Sequence, residues 1–199
     1  MGKRIAIAIL LLGAMVLMLT VYMPDSAQPP LQGTMQTAPL FGGAFALSDG
    51  KGNAVTEAAL AGHYSLVFFG FTHCPDVCPL TLQKLTQAIE MAPDVDVQPA
   101  FISVDPERDT PEAMARYAAS FHPRLLALTG TPEQVQAAAK AYRVFYEKAP
   151  LKDAAGNPTG DYTMNHSGSV FLMDKEGRFL DRFDANATTV SIAQRLKAL

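Results

Sequence analysis

The chain opens with its longest uninterrupted apolar segment. Ile5–Met23 is nineteen residues long, holds no charged residue and is preceded by Lys3 and Arg4. About 20 apolar residues are needed for a helix to cross a bilayer, and basic residues before such a helix favour a cytoplasmic N-terminus. The pattern therefore predicts a membrane anchor over residues 1–23, with the rest of the chain exported.

A cleaved signal peptide is the competing interpretation of this segment. The apolar core of a signal peptide is usually only about 7–15 residues long, and Asp25-Ser26-Ala27 fits a small-x-small cleavage site poorly. The length therefore favours an uncleaved anchor. Residues 24–40 are rich in Pro, Gln, Ser and Thr, which is typical of a flexible tether. We expect the folded domain to cover residues 41–199.

Beyond the tether, strand-like and helix-like apolar patterns alternate. Continuous apolar segments predict buried strands, and apolar residues at helical spacing, such as Leu82, Leu85 and Ile89, predict helices. Pro99 makes the first half of the second strand suspect, because proline cannot donate to a strand ladder. The predicted strands cover residues 64–71, 95–104 and 125–130, and the predicted helices cover residues 79–92, 111–121, 132–145 and 188–199.

Three of these helices carry recognisable start signals. Thr110-Pro111-Glu112 and Thr131-Pro132-Glu133 each combine a hydroxyl cap, a proline at the first helical position and a carboxylate in the first turn. Pro79 suits the first position of the helix that follows Cys78.

Turn residues predict two hairpins and one long loop. Asp49-Gly50 lies between apolar runs within residues 41–55, and Lys175-Glu176-Gly177 joins the apolar segments 169–174 and 178–183. Residues 151–163 are polar and are expected to form a flexible loop.

The order of elements predicts an α/β fold with a mixed sheet between helices. It matches the thioredoxin arrangement with extra elements, and the chain shows no internal repeat. This thioredoxin-like arrangement places Cys74 at the end of a core strand and Cys78 in the turn that leads into the next helix.

Charge argues against one class of partner. The chain has 16 basic and 19 acidic residues, and because Lys3 and Arg4 precede the apolar segment, the remaining 14 basic and 19 acidic residues give a net charge of −5. There is no basic stripe or arginine cluster, so we expect no nucleic-acid partner. An acidic surface would suit a basic docking patch on a protein partner.

Cys74 and Cys78 are the only cysteines of the chain. Thiols at a helix start are expected to favour the thiolate, which is both the nucleophile and the metal ligand. A structural disulfide would close a very small loop and add little stability. A dithiol that exchanges with other disulfides usually has C-x-x-C spacing, whereas here the thiols are one residue further apart. A metal site is the third interpretation, and it needs another ligand.

His166 is the candidate for that ligand. It directly precedes a predicted strand, in the loop that faces the cysteine turn of a thioredoxin-like fold, where a thioredoxin carries a cis-proline. Residues 160–174 contain no proline. Two thiolates and one imidazole form a soft ligand set: thiolate selects copper(I), zinc or iron–sulfur clusters, imidazole accepts copper and zinc, and copper is the better fit. Structural zinc normally takes four protein ligands, and the sequence offers no evident fourth.

Three segments stand out in this order along the chain: FGFTHCPDVCP, SVDPERDTPE and NHSGSVFLMDKEGRFL. Together they resemble the Sco/SenC family, membrane-anchored copper-binding proteins of cytochrome c oxidase assembly. The resemblance covers roughly Phe41 to the C-terminus and includes the N-terminal anchor. It implies that Cys74, Cys78 and His166 hold copper, that the acceptor is the copper A centre of cytochrome c oxidase subunit two, and that the protein can also keep that subunit's cysteines reduced.

These observations lead to the hypothesis of a membrane-tethered copper chaperone that is a carrier rather than a catalyst. It would receive copper from a donor protein, cross a bacterial cell membrane once, and expose its C-terminal domain to the periplasm or the cell exterior. The alternative is a thiol–disulfide oxidoreductase that uses only Cys74 and Cys78 as a redox disulfide. A peroxidase is a weaker third hypothesis.

Several neighbouring residues have both a functional and a structural interpretation. Asp76 is either a tuning group of the site or a solvated turn residue. Asp105 and Asp109 either support the site by hydrogen bonds or, as capping preferences favour, end a strand and cap a helix. Met164 is expected to pack in the core, and Tyr162 is expected to form a wall of the pocket.

Overall fold

The computed structural model describes residues 41–199 of the chain. The predicted anchor (1–23) and tether (24–40) lie outside the described residues. Within residues 41–199, no helix combines the length and the apolar character needed to cross a membrane.

The described residues form nine strands, four α-helices and one short 3₁₀ helix, Glu57–Leu60. The strands are β1 Ala46–Asp49, β2 Ala54–Thr56, β3 Tyr64–Gly70, β4 Val97–Ser103, β5 Leu126–Thr129, β6 Tyr146–Lys152, β7 Pro158–His166, β8 Val170–Met173 and β9 Phe179–Phe183. The helices are α1 Val77–Glu90, α2 Pro111–Ala118, α3 Pro132–Ala141 and α4 Thr189–Lys197.

Seven strands form one mixed sheet in the order β2-β1-β5-β4-β3-β8-β9. Strands β3, β4 and β5 are parallel, whereas the pairs β1–β2, β1–β5, β3–β8 and β8–β9 are antiparallel. Every residue of β3 from Ser65 to Gly70 is buried, as expected of a strand covered on both faces. The predicted mixed α/β sheet with flanking helices and the hairpins β1–β2 and β8–β9 are confirmed.

Pro99 lies inside β4 rather than before it. Strand β5 pairs with β4 only over Ala100–Ile102. Pro99 precedes this paired stretch, so its missing N–H group costs no hydrogen bond to β5. The suspicion about the first half of this strand was therefore wrong.

The helix starts follow the predicted signals at two of three places. The Thr110 and Thr131 side chains accept hydrogen bonds from the backbone N–H groups of the third helical residues, and proline occupies the first position in both helices. Helix α1, however, begins at Val77, two residues before Pro79. The first N–H groups of a helix have no intrahelical acceptor, so a proline at the third position costs no hydrogen bond. Cys78 therefore lies within the first helical turn, not in the turn before it.

The predicted loop over residues 151–163 is wrong. Strands β6 and β7 form an antiparallel two-stranded sheet, with Tyr146 opposite His166. Its residues are mostly exposed, so the segment lacks the alternation of apolar and polar residues that marks a half-buried strand. Only its turn is a loop, where Asp153 Oδ1 accepts hydrogen bonds from the Ala155 and Asn157 N–H groups.

Candidate metal centre

The loop between β3 and α1 carries the first cysteine. Cys74 lies in this loop and is partly exposed, whereas Cys78, in the first turn of α1, is fully buried. Both are free thiols. The Cys78 N–H group donates to Cys74 Sγ at 3.4 Å, so the loop sulfur lies at the N-terminus of the helix, where negative charge is favoured.

His166 is the last residue of β7, and its ring reaches Cys78. The distance from His166 Nε2 to Cys78 Sγ is 3.7 Å, and His166 Nδ1 lies 3.2 Å from the Ser167 carbonyl oxygen. Because a carbonyl oxygen only accepts hydrogen bonds, Nδ1 carries the ring proton and Nε2 presents its lone pair to the Cys78 thiol. The predicted histidine and the buried cysteine are thus brought together from positions 88 residues apart.

Apolar surroundings determine the charge state of this pair. The Phe71 ring meets the His166 ring edge-on, with centroids 5.9 Å apart, and the Phe68 ring lies at 6.2 Å. Burial lowers the pKa of His166, which keeps the ring neutral. Burial also raises the pKa of Cys78 well above that of an ordinary thiol, although a backbone hydrogen bond from Phe71 acts the other way. Without a metal, burial therefore favours the neutral thiol at Cys78 over the expected thiolate.

Two carboxylates that follow β4 are buried beside the cysteine loop. Asp109 accepts hydrogen bonds from Thr72 N at 3.0 Å, from Thr72 Oγ1 at 2.6 Å and from Ser103 Oγ at 2.6 Å. Asp105 and Asp109 are both inaccessible to solvent, and Thr110 supplies the helix cap. The capping interpretation of these two aspartates is therefore wrong, and Asp109 instead fixes the backbone two residues before Cys74.

Asp105 connects the same segment to the strand that carries His166. Arg108 Nε donates to Asp105 Oδ2 at 2.5 Å, and the Tyr162 hydroxyl donates to Asp105 Oδ1 at 2.8 Å. Arg108 Nη1 also donates to the Tyr162 carbonyl at 3.0 Å, with the guanidinium 3.8 Å from the Tyr162 ring centroid. Burial and the bond to Asp105 raise the pKa of Tyr162 to about 12. Residues 105–109, which we call the acidic bridge, thus hold the cysteine loop and β7 together.

Gly70 is a residue of the site that sequence reasoning missed. A Cβ atom at this position would lie 2.8 Å from Cys78 Sγ and 2.8 Å from Phe101 Cε2, closer than real Cβ contacts. The glycine therefore makes room for the buried thiol. The only signal in the sequence is a glycine that ends an apolar strand just before the cysteine turn.

The remaining predicted neighbours have structural positions. Met164 is buried in the core, which confirms its packing role. Asp76 directly precedes α1, is exposed and makes no capping hydrogen bond. Among residues 41–199, no group of three or more His, Cys, Asp or Glu side chains is already arranged to hold a metal ion.

Comparison with known proteins shows which family the whole domain resembles. The family model described as SCO1/SenC matches residues 33–199. A mouse relative, the mitochondrial protein SCO2 homolog, is 43% identical to this chain over 159 residues. The aligned residues cover 78% of this chain and 60% of that protein. The chain therefore spans less than two thirds of the length of this relative.

Two solved structures are similar over nearly their whole length. Arabidopsis thaliana ScoI with copper bound is 41% identical, with a TM-score of 0.74 over 79% of this chain and 96% of that chain. Bradyrhizobium japonicum ScoI with copper bound is 44% identical, with a TM-score of 0.70 over 79% of this chain and 98% of that chain. Related proteins of this fold are thus solved with copper bound.

Proposed function

The chain belongs to the SCO1/SenC family, and we propose that it is a copper carrier that binds one copper ion through Cys74, Cys78 and His166. The observation that carries the proposal is the approach of His166 Nε2 to Cys78 Sγ, with the ring nitrogen unprotonated and aimed at the sulfur. A neutral imidazole and a thiol on well-fixed elements match the soft ligands that copper(I) prefers.

The distance between these two atoms fits a shared metal ion. With bond lengths of about 2.3 Å to sulfur and about 2.0 Å to imidazole nitrogen, as for zinc, a separation of 3.7 Å corresponds to an angle of roughly 120° at the metal. This is the angle of a trigonal site. Cys74 lies on the partly exposed loop and is the third ligand in this proposal, with its sulfur turned toward the same copper ion. The metal replaces the thiol protons of Cys74 and Cys78, which leave to solvent.

Three ligands suit a carrier better than a permanent metal site. They leave copper open to an incoming thiolate, so transfer proceeds by ligand exchange. We propose the copper A centre of cytochrome c oxidase subunit two as the acceptor, a copper donor protein as the source, and residues 1–23 as a single membrane anchor that holds the domain outside a bacterial cell membrane. The family resemblance and the apolar segment Ile5–Met23 support these assignments.

A second candidate function rests on the unequal exposure of the two thiols. Cys74 is partly exposed and Cys78 is buried beside it, as in a dithiol whose outer sulfur attacks a partner's disulfide and whose inner sulfur resolves the mixed disulfide. In that thiol–disulfide oxidoreductase, two electrons pass from the dithiol to the partner's cysteines, and His166 has no ligand role.

Anaerobic copper(I) titration of the reduced full-length chain in detergent, against a chromogenic competitor, separates the two functions. We expect one copper per chain, and a loss of at least about 100-fold in affinity for His166→Ala, Cys74→Ser and Cys78→Ser, since each removes a ligand. His63→Ala is the matched control, because His63 lies before β3, at the opposite end of that strand from the cysteine loop, and pairs with Asp96. If His166→Ala binds copper like the parent chain, the three-ligand carrier is wrong and the oxidoreductase is favoured.

A further inference from the structure

The pairing of β6 with β7 continues one residue past the end of the two strands. Tyr146 lies opposite His166 in the last pair of the ladder, so the same register places Phe145 opposite Ser167. In an antiparallel sheet, a hydrogen-bonded pair exchanges two bonds, and each N–H group donates to the carbonyl of the other residue. The Ser167 N–H group makes its half of this exchange and donates to the Phe145 carbonyl at 2.9 Å.

The other half of the exchange uses a side chain instead of the backbone. The Phe145 N–H group donates to Ser167 Oγ at 3.2 Å. Among the backbone hydrogen bonds of residues 41–199, it makes none to the Ser167 carbonyl. A serine hydroxyl has lone pairs that can accept this bond. The Ser167 hydroxyl therefore takes the place of the Ser167 carbonyl as the acceptor that faces Phe145.

The Ser167 carbonyl is then available to the candidate metal centre. It accepts the hydrogen bond from His166 Nδ1 at 3.2 Å, and this bond leaves Nε2 without a proton at 3.7 Å from Cys78 Sγ. A histidine that binds a metal through one ring nitrogen usually donates from the other to a carboxylate, a backbone carbonyl or water, which fixes the tautomer and the orientation of the ring. The Ser167 carbonyl occupies that position for His166.

The two donors need this carbonyl in different directions. A ladder carbonyl points along the sheet toward the neighbouring strand, whereas the side chains of a strand stand roughly perpendicular to the sheet. A Ser167 carbonyl that turned toward the Phe145 N–H group would therefore turn away from the His166 ring. We infer that Ser167 is a positioning residue: its hydroxyl replaces its carbonyl in the pairing with Phe145, so that the carbonyl holds His166 with Nε2 aimed at Cys78. This inference rests on the proposed copper-binding function.

Ser167→Ala removes the hydroxyl, so the Phe145 N–H group should bond to the carbonyl of residue 167 and the His166 ring should lose its fixed acceptor. The test is NMR of the reduced, copper-free full chain in detergent, isotope-labelled at the histidine ring nitrogens. We expect His166 of the parent to carry its proton on Nδ1, and His166 of the variant to be a mixture of the two tautomers. The copper(I) affinity of the variant should be lower by about tenfold, the scale found when a partner of a metal ligand is removed.

Two further variants are the controls. Ser167→Thr keeps a hydroxyl at this position and should keep the parent's tautomer and affinity. Ser169→Ala removes a serine hydroxyl two residues further along, outside the pairing of β6 with β7, and should also resemble the parent.

The tautomer of His166 decides the inference without copper. A single tautomer with the proton on Nδ1 in Ser167→Ala, with copper affinity within twofold of the parent, overturns the inference. An equal change in Ser167→Thr also overturns it, since the hydroxyl would then not be the deciding group. If the tautomers change as expected but the parent chain does not bind copper through His166, the proposed function is overturned instead.

Discussion

Gly70 shows that one residue without a side chain can determine whether the Cys78 sulfur fits into the candidate site. The Cys78 sulfur and the Phe101 ring both occupy the space that a side chain at position 70 would need. Sequence reasoning selected Cys74, Cys78 and His166 as candidate ligands because their side chains carry recognisable chemistry. It could not identify Gly70, because the importance of a glycine lies in what approaches it, and that is known only from the fold.

Gly70→Ala should therefore displace the Cys78 sulfur. The added methyl group overfills a closely packed corner, which should lower the free energy of unfolding by about 1–3 kcal/mol and weaken copper binding at least tenfold. Denaturant unfolding and competitive copper titration measure the two effects. Gly168→Ala is the control, since a Cβ there has no neighbour within 4 Å; equal effects of both substitutions would contradict this account of Gly70.

Asp109 stabilises the site from beneath the cysteine loop. Asp109→Asn replaces one acceptor oxygen by a donor that faces Thr72 or Ser103. We expect the free energy of unfolding to fall by about 1–3 kcal/mol, the cost of unsatisfied buried polar groups, and copper affinity to fall because the loop before Cys74 loosens. Asp94→Asn, at an exposed turn, is the control for the loss of one charge. A variant with the parent's stability would show that the buried carboxylate does not hold the loop.

At the scale of elements, the strands of the main sheet were predictable and the β6–β7 hairpin was not. The buried segment Tyr64–Gly70 is a continuous apolar run. Thr110 and Thr131 are cap residues followed by proline, so the start of each helix can be predicted from a few neighbouring residues. Strands β6 and β7 expose most of their residues, so their pairing leaves no hydrophobic pattern. Yet β7 carries His166, and contacts such as that of Tyr162 with Asp105 hold it near the cysteines.

The hairpin should also be less stable than the seven-stranded sheet. Because few of its residues are buried, local opening should expose its amides more often than those of β3. Hydrogen–deuterium exchange should show the amides of residues 162–165 exchanging at least about tenfold faster than those of Val67 and Phe68. Equal protection in the two elements would mean that the hairpin opens only with the whole domain, contrary to this prediction.

At the scale of the whole molecule, the sequence accounts for the architecture better than for the connections within the site. The order of strands and helices predicts a mixed α/β sheet, which the structure has. The acidic bridge joins the cysteine loop to β7 through contacts between residues more than 35 positions apart, such as Thr72 with Asp109 and Asp105 with Tyr162. Contacts between residues so far apart produce no repeating pattern of apolar and polar residues in a single sequence. They are therefore known only from the folded structure.

The proposed anchor makes a prediction for the full chain in a bacterial host. With residues 1–23 uncleaved, the protein should stay with the membranes after an alkaline carbonate wash, because a spanning helix is not released by loss of charge contacts. Its intact mass should include the apolar segment Ile5–Met23. A form that lacks this segment and fractionates with the soluble exported proteins would identify a cleaved signal peptide instead.

X-ray absorption at the copper edge tests the central claim most directly. The reduced full-length chain, loaded anaerobically with one equivalent of copper(I), should show two sulfur ligands and one imidazole nitrogen. His166→Ala should lose the imidazole scattering and keep the two sulfurs. If the parent protein instead shows copper bound by sulfur alone, with a spectrum that His166→Ala leaves unchanged, then Cys74, Cys78 and His166 do not form one metal site, and the carrier mechanism argued from their geometry is contradicted.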